Sequence, residues 1–157
     1  MKIKLLWVGK EDGGVFDDAI REYARKLAFY CDFETLAVPY LKNAKSMSQE
    51  EQKRREGELL LKRVESGDHV ILLDERGREY TSENFAQLLQ RHANSGLKSL
   101  VFIIGGAYGF SETVYARGNA RMSLSQMTFP HIMTRLIFTE QLYRAFTILH
   151  GEPYHHK

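Results

Sequence analysis

Leu100-Val101-Phe102-Ile103-Ile104-Gly105-Gly106-Ala107-Tyr108-Gly109 decides the fold. Five apolar residues in succession read as a strand buried on both faces, which is the habit of a parallel sheet covered by helices above and below. The glycines that stop the run allow positive φ and let a ligand approach the backbone. A second run, His69 to Leu73, is equally apolar and ends in Asp74-Glu75-Arg76-Gly77.

Working outward, Ile3 to Val8 reads as a first strand ending at Gly9, and Phe33 to Val38 as a second ended by Pro39. Phe16, Ile20, Tyr23, Ala24 and Leu27 recur at helical spacing between them. Residues 40–47 read as a loop. Ser48 and Glu51 fit a capping box opening a helix that runs to about Glu65. Ser82 starts another helix, with Phe85, Leu88, Leu89 and His92 on one stripe. Ser111 to Arg117 predicts a short helix and Arg121 to Ser125 a last short strand. His131 to His150 predicts the longest helix, with Met133, Leu136, Ile137, Glu140, Tyr143 and Arg144 along one stripe. A stripe mixing aliphatic side chains with Glu140 and Arg144 is unlike a core face and predicts contact with another subunit. The alternation predicts one α/β domain over residues 1–157, a mostly parallel sheet with helices on both faces.

Bulk properties narrow the class. The chain has 157 residues, 43% hydrophobic and 27% charged, with no apolar run near the roughly 20 residues of a membrane helix. The start, Met1 to Val8, is too short for a signal peptide. The single cysteine, Cys31, excludes an internal disulfide framework and reads as a small buried residue of a protein in a reducing cytoplasm. Charge is uneven: Arg117, Arg121, Arg135, Arg144 and Lys157 face only Glu140 and Glu152 between Thr113 and Lys157. Two readings stand: a basic face for phosphate, or arginines paired with acids from the first two thirds.

The Gly105–Gly109 cluster fits either a tight turn or a ligand loop. It is not a dinucleotide fingerprint, because no acid follows about 20 residues on to hold a ribose. It is not a P-loop, because Gly-Lys-Ser/Thr is missing. The polar run Ser123-Leu124-Ser125-Gln126-Met127-Thr128-Phe129-Pro130-His131 downstream favours the ligand loop. His131 reads as a helix-capping or a site residue; His69 and His92 read as structural. No spacing of His, Cys and carboxylates suits a metal, and no Ser-His-Asp elbow is present. His155 and His156 follow Pro153-Tyr154, which stiffens the approach and gives the terminus an aromatic anchor.

These residues carry a resemblance. Ile104-Gly105-Gly106, the Ser123 to His131 run, Glu140-Gln141-Leu142-Tyr143-Arg144-Ala145, Gly151-Glu152-Pro153-Tyr154-His155 and the N-terminal Lys2-Ile3, Leu5 and Val8-Gly9-Lys10 are together similar to the bacterial large-subunit ribosomal RNA methyltransferase H family. The resemblance spans the chain in order. It implies a SPOUT fold with a C-terminal trefoil knot, a homodimer, S-adenosylmethionine as cofactor, and methylation of N3 of a pseudouridine in 23S ribosomal RNA of the assembled ribosome. It further implies that Leu73, Gly105, Gly106 and the loop Ser125, Gln126, Met127, Thr128, Phe129 and Pro130 embrace the cofactor. The other expected site residues are His155 as general base, Tyr154 orienting or stacking on the target base, and Arg144 holding a phosphate or the imide anion. His131 is the alternative base. One departure is His156, where relatives often carry Arg; a phosphate contact expected there either passes to Lys157 or is weaker. Competing readings are a SPOUT enzyme acting on tRNA and a ribosome-binding protein without catalysis. A nucleotide-dependent oxidoreductase lacks its ribose-binding acid.

Overall fold

The computed structural model describes residues 1–11 and 13–156. The phosphate contact considered for Lys157 lies outside them. Five strands, β1 (Lys2–Val8), β2 (Asp32–Val38), β3 (His69–Glu79), β4 (Ser99–Ile104) and β5 (Ala120–Ser123), form one sheet in the order β2-β1-β4-β3-β5. Every pairing is parallel. Five helices connect them: α1 (Val15–Leu27), α2 (Gln49–Leu61), α3 (Ser82–Asn94), α4 (Glu112–Arg117) and α5 (His131–Leu149).

Side chains alternate across each strand, so two cores form. Leu5, Ile71, Leu100 and Phe102 point toward α1, α3 and α5, where Leu27, Phe85, Phe138 and Leu142 meet them. Leu6, Leu72, Val101 and Ile103 point the other way, toward Leu60 of α2 and Val114 of α4. The rings of Phe102 and Phe138 lie 4.6 Å apart, centring the first core. At about 25 cal/mol per Å² of apolar area, two such cores supply most of the driving force. The expected stripe of α1 is only partly a core face: Ile20 and Leu27 are buried, whereas Phe16 is 42% exposed.

Local signals behave as the residue types require. Ser48 Oγ accepts the Glu51 N–H, Thr81 Oγ1 that of Asn84 and Ser111 Oγ that of Val114, each filling an otherwise free donor at a helix start. The expected loop at 40–47 contains a 3-10 turn, Ala44–Ser46. α2 ends at Leu61, four residues earlier than its sequence suggests. β5 spans Ala120–Ser123 rather than Arg121–Ser125.

β3 is longer than its apolar run. Its register with β5 breaks between Leu73 and Arg78, then resumes at Arg78 against Met122 and Glu79 against Ser123. Gly77 sits in the break. A Cβ there would lie 2.6 Å from Met122 N and 2.7 Å from the Arg121 carbonyl carbon, so only glycine lets β5 close on β3.

Two buried acids sit near the carboxyl ends of the strands. Asp17 of α1 pairs with Arg135 of α5 at 3.4 Å, and the Arg135 guanidinium lies over the Trp7 ring. Glu56 of α2 is 5% exposed and its Oε1 has no hydrogen-bond partner among the described residues. A Cβ on Gly106 would lie 2.2 Å from Glu56 Oε2, so the carboxyl group props the glycine turn from behind. Burial pushes the Glu56 carboxyl up, a hydrogen bond from Gln52 partly opposing it.

Gly77→Ala lowers stability by about 2 kcal/mol, read as a fall in Tm of roughly 4–8 °C. Gly67→Ala, which meets open space, serves as the control and changes little. Glu56→Gln gives a pH-dependent result. A raised carboxyl contributes stability at acid pH that is lost as pH rises through its folded value. The variant, permanently neutral, therefore matches wild type near pH 4 and exceeds it by about 1 kcal/mol at pH 7. Denaturant melts across that range check the sign.

Candidate functional site

The pairing of β3 with β4 ends where Leu73 meets Ile104, the last residue of β4. Beyond them opens a cleft of about 540 Å³. Its floor is Leu73 and Ile104, and one wall is the Gly105–Gly109 turn. The turn closes on itself through Gly109 N–H to Gly106 O at 3.1 Å, with Gly109 at φ +84°. Gly105 is pressed against Phe110, its notional Cβ 3.2 Å from the ring. The opposite wall is the segment between β5 and α5. Ser123 Oγ donates to Ser125 O and Ser125 Oγ accepts from Met127 N–H, so this loop braces itself.

Of the residues expected at a cofactor, Leu73, Gly105, Gly106, Ser125, Met127, Thr128 and Phe129 line this cleft. Gln126 and Pro130 stand outside the lining; Pro130 instead caps the start of α5. His131, the first residue of α5, also lines the cleft. Burial pushes its imidazole below the usual value, with Arg135 adding to the effect and a hydrogen bond with the Gly106 backbone opposing it.

Sequence reasoning missed an acidic edge. Asp74, directly after the β3 apolar run, lines the cleft with Arg76 and Tyr115. Its Oδ2 accepts from Tyr115 Oη at 2.6 Å and its Oδ1 from the Arg76 N–H at 3.0 Å. Burial disfavours its charge, but those hydrogen bonds and the Arg76 and Arg121 guanidiniums outweigh it and hold the carboxyl below the ordinary range. Tyr115 is raised, first by burial and then by Asp74. The available signal was positional: an acid at the carboxyl end of a buried parallel strand, where ligands of such sheets sit.

Arg144, Tyr154 and His155 come together elsewhere. Arg144 donates from Nε and Nη2 to Glu140 Oε1 at 3.0 and 2.6 Å, and its guanidinium lies over the Tyr154 ring. Tyr154 donates to the same Glu140 oxygen at 2.9 Å and packs edge-on against Tyr143. Burial, then hydrogen bonds with Tyr23 and Glu140, keep its hydroxyl protonated. His155 lies between Arg144 and Glu83 of α3, Nδ1 3.2 Å from Arg144 Nη1 and Nε2 3.0 Å from Glu83 Oε1. None of these side chains lines the cleft. Arg144 is more than three helical turns from His131, about 20 Å along α5. The predicted stripe of α5 is half-covered, whereas Phe138, Leu142 and Ala145 form its core face.

The expected basic face is mostly internal bonding. Arg135 pairs with Asp17 and Arg144 with Glu140. Arg117 donates to the Glu65 and Asp68 carbonyls. Arg121, stacked on Tyr115, is exposed beside the cleft. Among the described residues no group of three or more His, Cys, Asp or Glu could hold a metal, and no helix is long and apolar enough to cross a membrane.

Comparison with known proteins identifies the family and the fold. The family described as "Predicted SPOUT methyltransferase" matches residues 1–155. Proteins named "Ribosomal RNA large subunit methyltransferase H" from Parabacteroides distasonis and Christiangramia forsetii are each 51% identical over 157 residues, covering 100% of both chains. One from Porphyromonas gingivalis is 49% identical over the same length. A solved structure, a probable methylase family protein from Haemophilus influenzae Rd KW20, superposes with a TM-score of 0.56 over 99% of this chain and 70% of its own, at 14% identity. That likeness concerns the fold alone. With half of its residues shared along their whole length, the chain belongs to the ribosomal RNA large subunit methyltransferase H family of SPOUT methyltransferases.

Proposed function

We propose that the protein methylates N3 of a pseudouridine in 23S ribosomal RNA of the assembled ribosome, in the cytoplasm, using S-adenosylmethionine and working as a homodimer. The observation that carries this reading is the division of the chain's polar chemistry. One part is an acid-edged cleft; the other is the Arg144–Tyr154–His155 cluster on the later part of α5. The C-terminal knot of this family belongs to the same proposal.

The cleft suits a sulfonium nucleoside. Leu73 and Ile104 offer an apolar floor, the glycine turn offers backbone groups without side chains, and the ionised Asp74 favours a cation. When bound, the cofactor supplies an electrophilic methyl group. The protein's task is then position and proton removal. An imide nitrogen attacks only after losing its proton, and His155 takes it as general base. Arg144 then faces the negative charge that develops on the imide, and the Tyr154 ring offers a stacking surface.

The separation along α5 bears on the dimer. A cleft and a base cluster about 20 Å apart on one helix do not readily meet one nucleotide within a single chain. The half-covered stripe of α5 supplies a face for a second copy, which brings the partner's His155 toward the cleft. A second reading has one specific support: His131 lines the cleft of its own chain, and burial keeps it neutral and able to accept a proton.

Kinetics on ribosomes separate the two. His155→Ala lowers kcat about 100-fold and leaves S-adenosylmethionine affinity, measured by calorimetry, within twofold. His131→Ala weakens cofactor binding instead. If His155→Ala loses cofactor binding as much as turnover, or if His131→Ala alone abolishes chemistry, the assignment is wrong. Hybrid dimers pairing a Gly106→Val protomer with a His155→Ala protomer regain activity that neither parent has; if they stay inactive, the shared site is excluded.

A further inference from the structure

The hydrogen bonds around His155 specify more than its place. Arg144 has only donors. Its contact with Nδ1 at 3.2 Å therefore makes Nδ1 an acceptor, carrying no proton. The other nitrogen, Nε2, faces a carboxylate oxygen of Glu83 at 3.0 Å, which accepts. Nε2 is thus the nitrogen that holds the proton, and the neutral Nε2–H tautomer satisfies both contacts. The opposite tautomer would aim Nδ1–H at a guanidinium and the Nε2 lone pair at a carboxylate, two repulsive contacts.

Glu83 is itself held. It lies in the first turn of α3, whose start is capped by Thr81, and negative charge is favoured there. Its neighbour Ser82 donates to Gln141 Oε1 at 2.7 Å, tying the start of α3 to the middle of α5. The His155 and Glu83 side chains are 19% and 31% exposed, so the pair is shielded enough to hold one geometry and open enough for a substrate to reach it.

We propose that Glu83 is the positioning residue for His155, fixing the Nε2–H tautomer so that Nδ1 is the atom that accepts the substrate proton. This rests on the reading of His155 as the base. In the resting protein Arg144 occupies the Nδ1 lone pair. When the imide enters, its N–H takes that position and the guanidinium turns to the imide oxygen. The N3–H bond breaks, its proton goes to Nδ1, and its electron pair stays on N3, where it would take up the methyl group of a bound sulfonium as the carbon–sulfur bond breaks and that bond's pair stays on sulfur. The imidazolium that results donates from Nε2 to Glu83, and its new proton passes to solvent after transfer. A carboxylate that orients an imidazole and stabilises its charged form has this logic wherever a histidine acts as base. Glu83 touches neither cleft nor substrate; its action passes through the ring.

The test joins a spectroscopic readout to kinetics. Nitrogen-15 imidazole spectra, with His155→Ala to assign the resonances, report which ring nitrogen carries hydrogen in the full-length protein. Wild type shows His155 as Nε2–H. Glu83→Ala, which frees the ring to turn away from Arg144, shows a mixture of tautomers, and kcat on ribosomes falls roughly tenfold or more with KM within twofold. Glu83→Gln, whose amide oxygen still accepts from Nε2–H, retains the tautomer and recovers part of the rate. An unchanged tautomer in Glu83→Ala overturns the inference, whatever the rate. So does a Glu83→Gln variant as slow as Glu83→Ala, with its tautomer intact. Full activity in His155→Ala overturns the underlying base assignment instead, so the two failures are distinguishable.

Discussion

Burial of the three central strands on both faces is the constraint on which the rest depends. β1, β4 and β3 carry apolar side chains alternately up and down, and none of these strands can leave a face in water. Helices must therefore cover both sides: α1, α3 and α5 on one, α2 and α4 on the other. Parallel strands leave their carboxyl ends together, and the chain must turn away there without side chains in the way. Gly105 and Gly106 do that directly over Leu73. The cleft thus follows from the sheet rather than from any single binding residue.

Charge is used inside this frame more than on its surface. Arg135 is buried against Asp17 and Trp7, where it ties α5 to α1 and β1 beneath the cleft. Removing one partner of such a pair costs several kcal/mol, because the other charge is left stranded. Glu56 and Asp74 show how surroundings divide two acids near one site. Glu56 has an oxygen without a partner and is pushed toward its neutral form; Asp74 has a phenol, an amide and two guanidiniums and stays ionised. The pocket therefore presents the well-bonded carboxylate of Asp74 at its mouth and, behind its turn, an acid whose charge burial disfavours.

Much of this was legible in the residues, and what was not has physical reasons. Apolar runs at His69–Leu73 and Leu100–Ile104 announce a doubly covered parallel sheet, and Ser48 announces its helix start. Strand order was not legible, because buried parallel strands of similar composition carry no pairing signal. Nor was the extension of β3 past Leu73. Asp74 to Glu79 is a polar run whose strand conformation comes from β5 closing over Gly77, a tertiary effect. Residue type left the glycine turn open between a tight turn and a ligand loop; the family resemblance implied a cofactor role for it and for Ser125 to Pro130, of which Ser125, Met127, Thr128 and Phe129 line the cleft. Asp74 was noted only as the residue at which the apolar run of β3 stops. Glu83 sits on a helix in a stretch with no motif, and only the fold brings it to His155. The arginine surplus of the last third suggested a phosphate face, but three of the four arginines described are taken up by internal partners.

The central claim is that the cleft and the terminal cluster together methylate 23S ribosomal RNA. Transfer of labelled methyl from S-adenosylmethionine to intact ribosomes, free large subunits and total tRNA, all from a strain lacking the endogenous enzyme, tests it most directly. The account predicts label in 23S RNA of intact ribosomes, on a single pseudouridine whose N3 carries the methyl group by mass spectrometry. Label confined to tRNA, or none on any RNA despite bound cofactor, would contradict it.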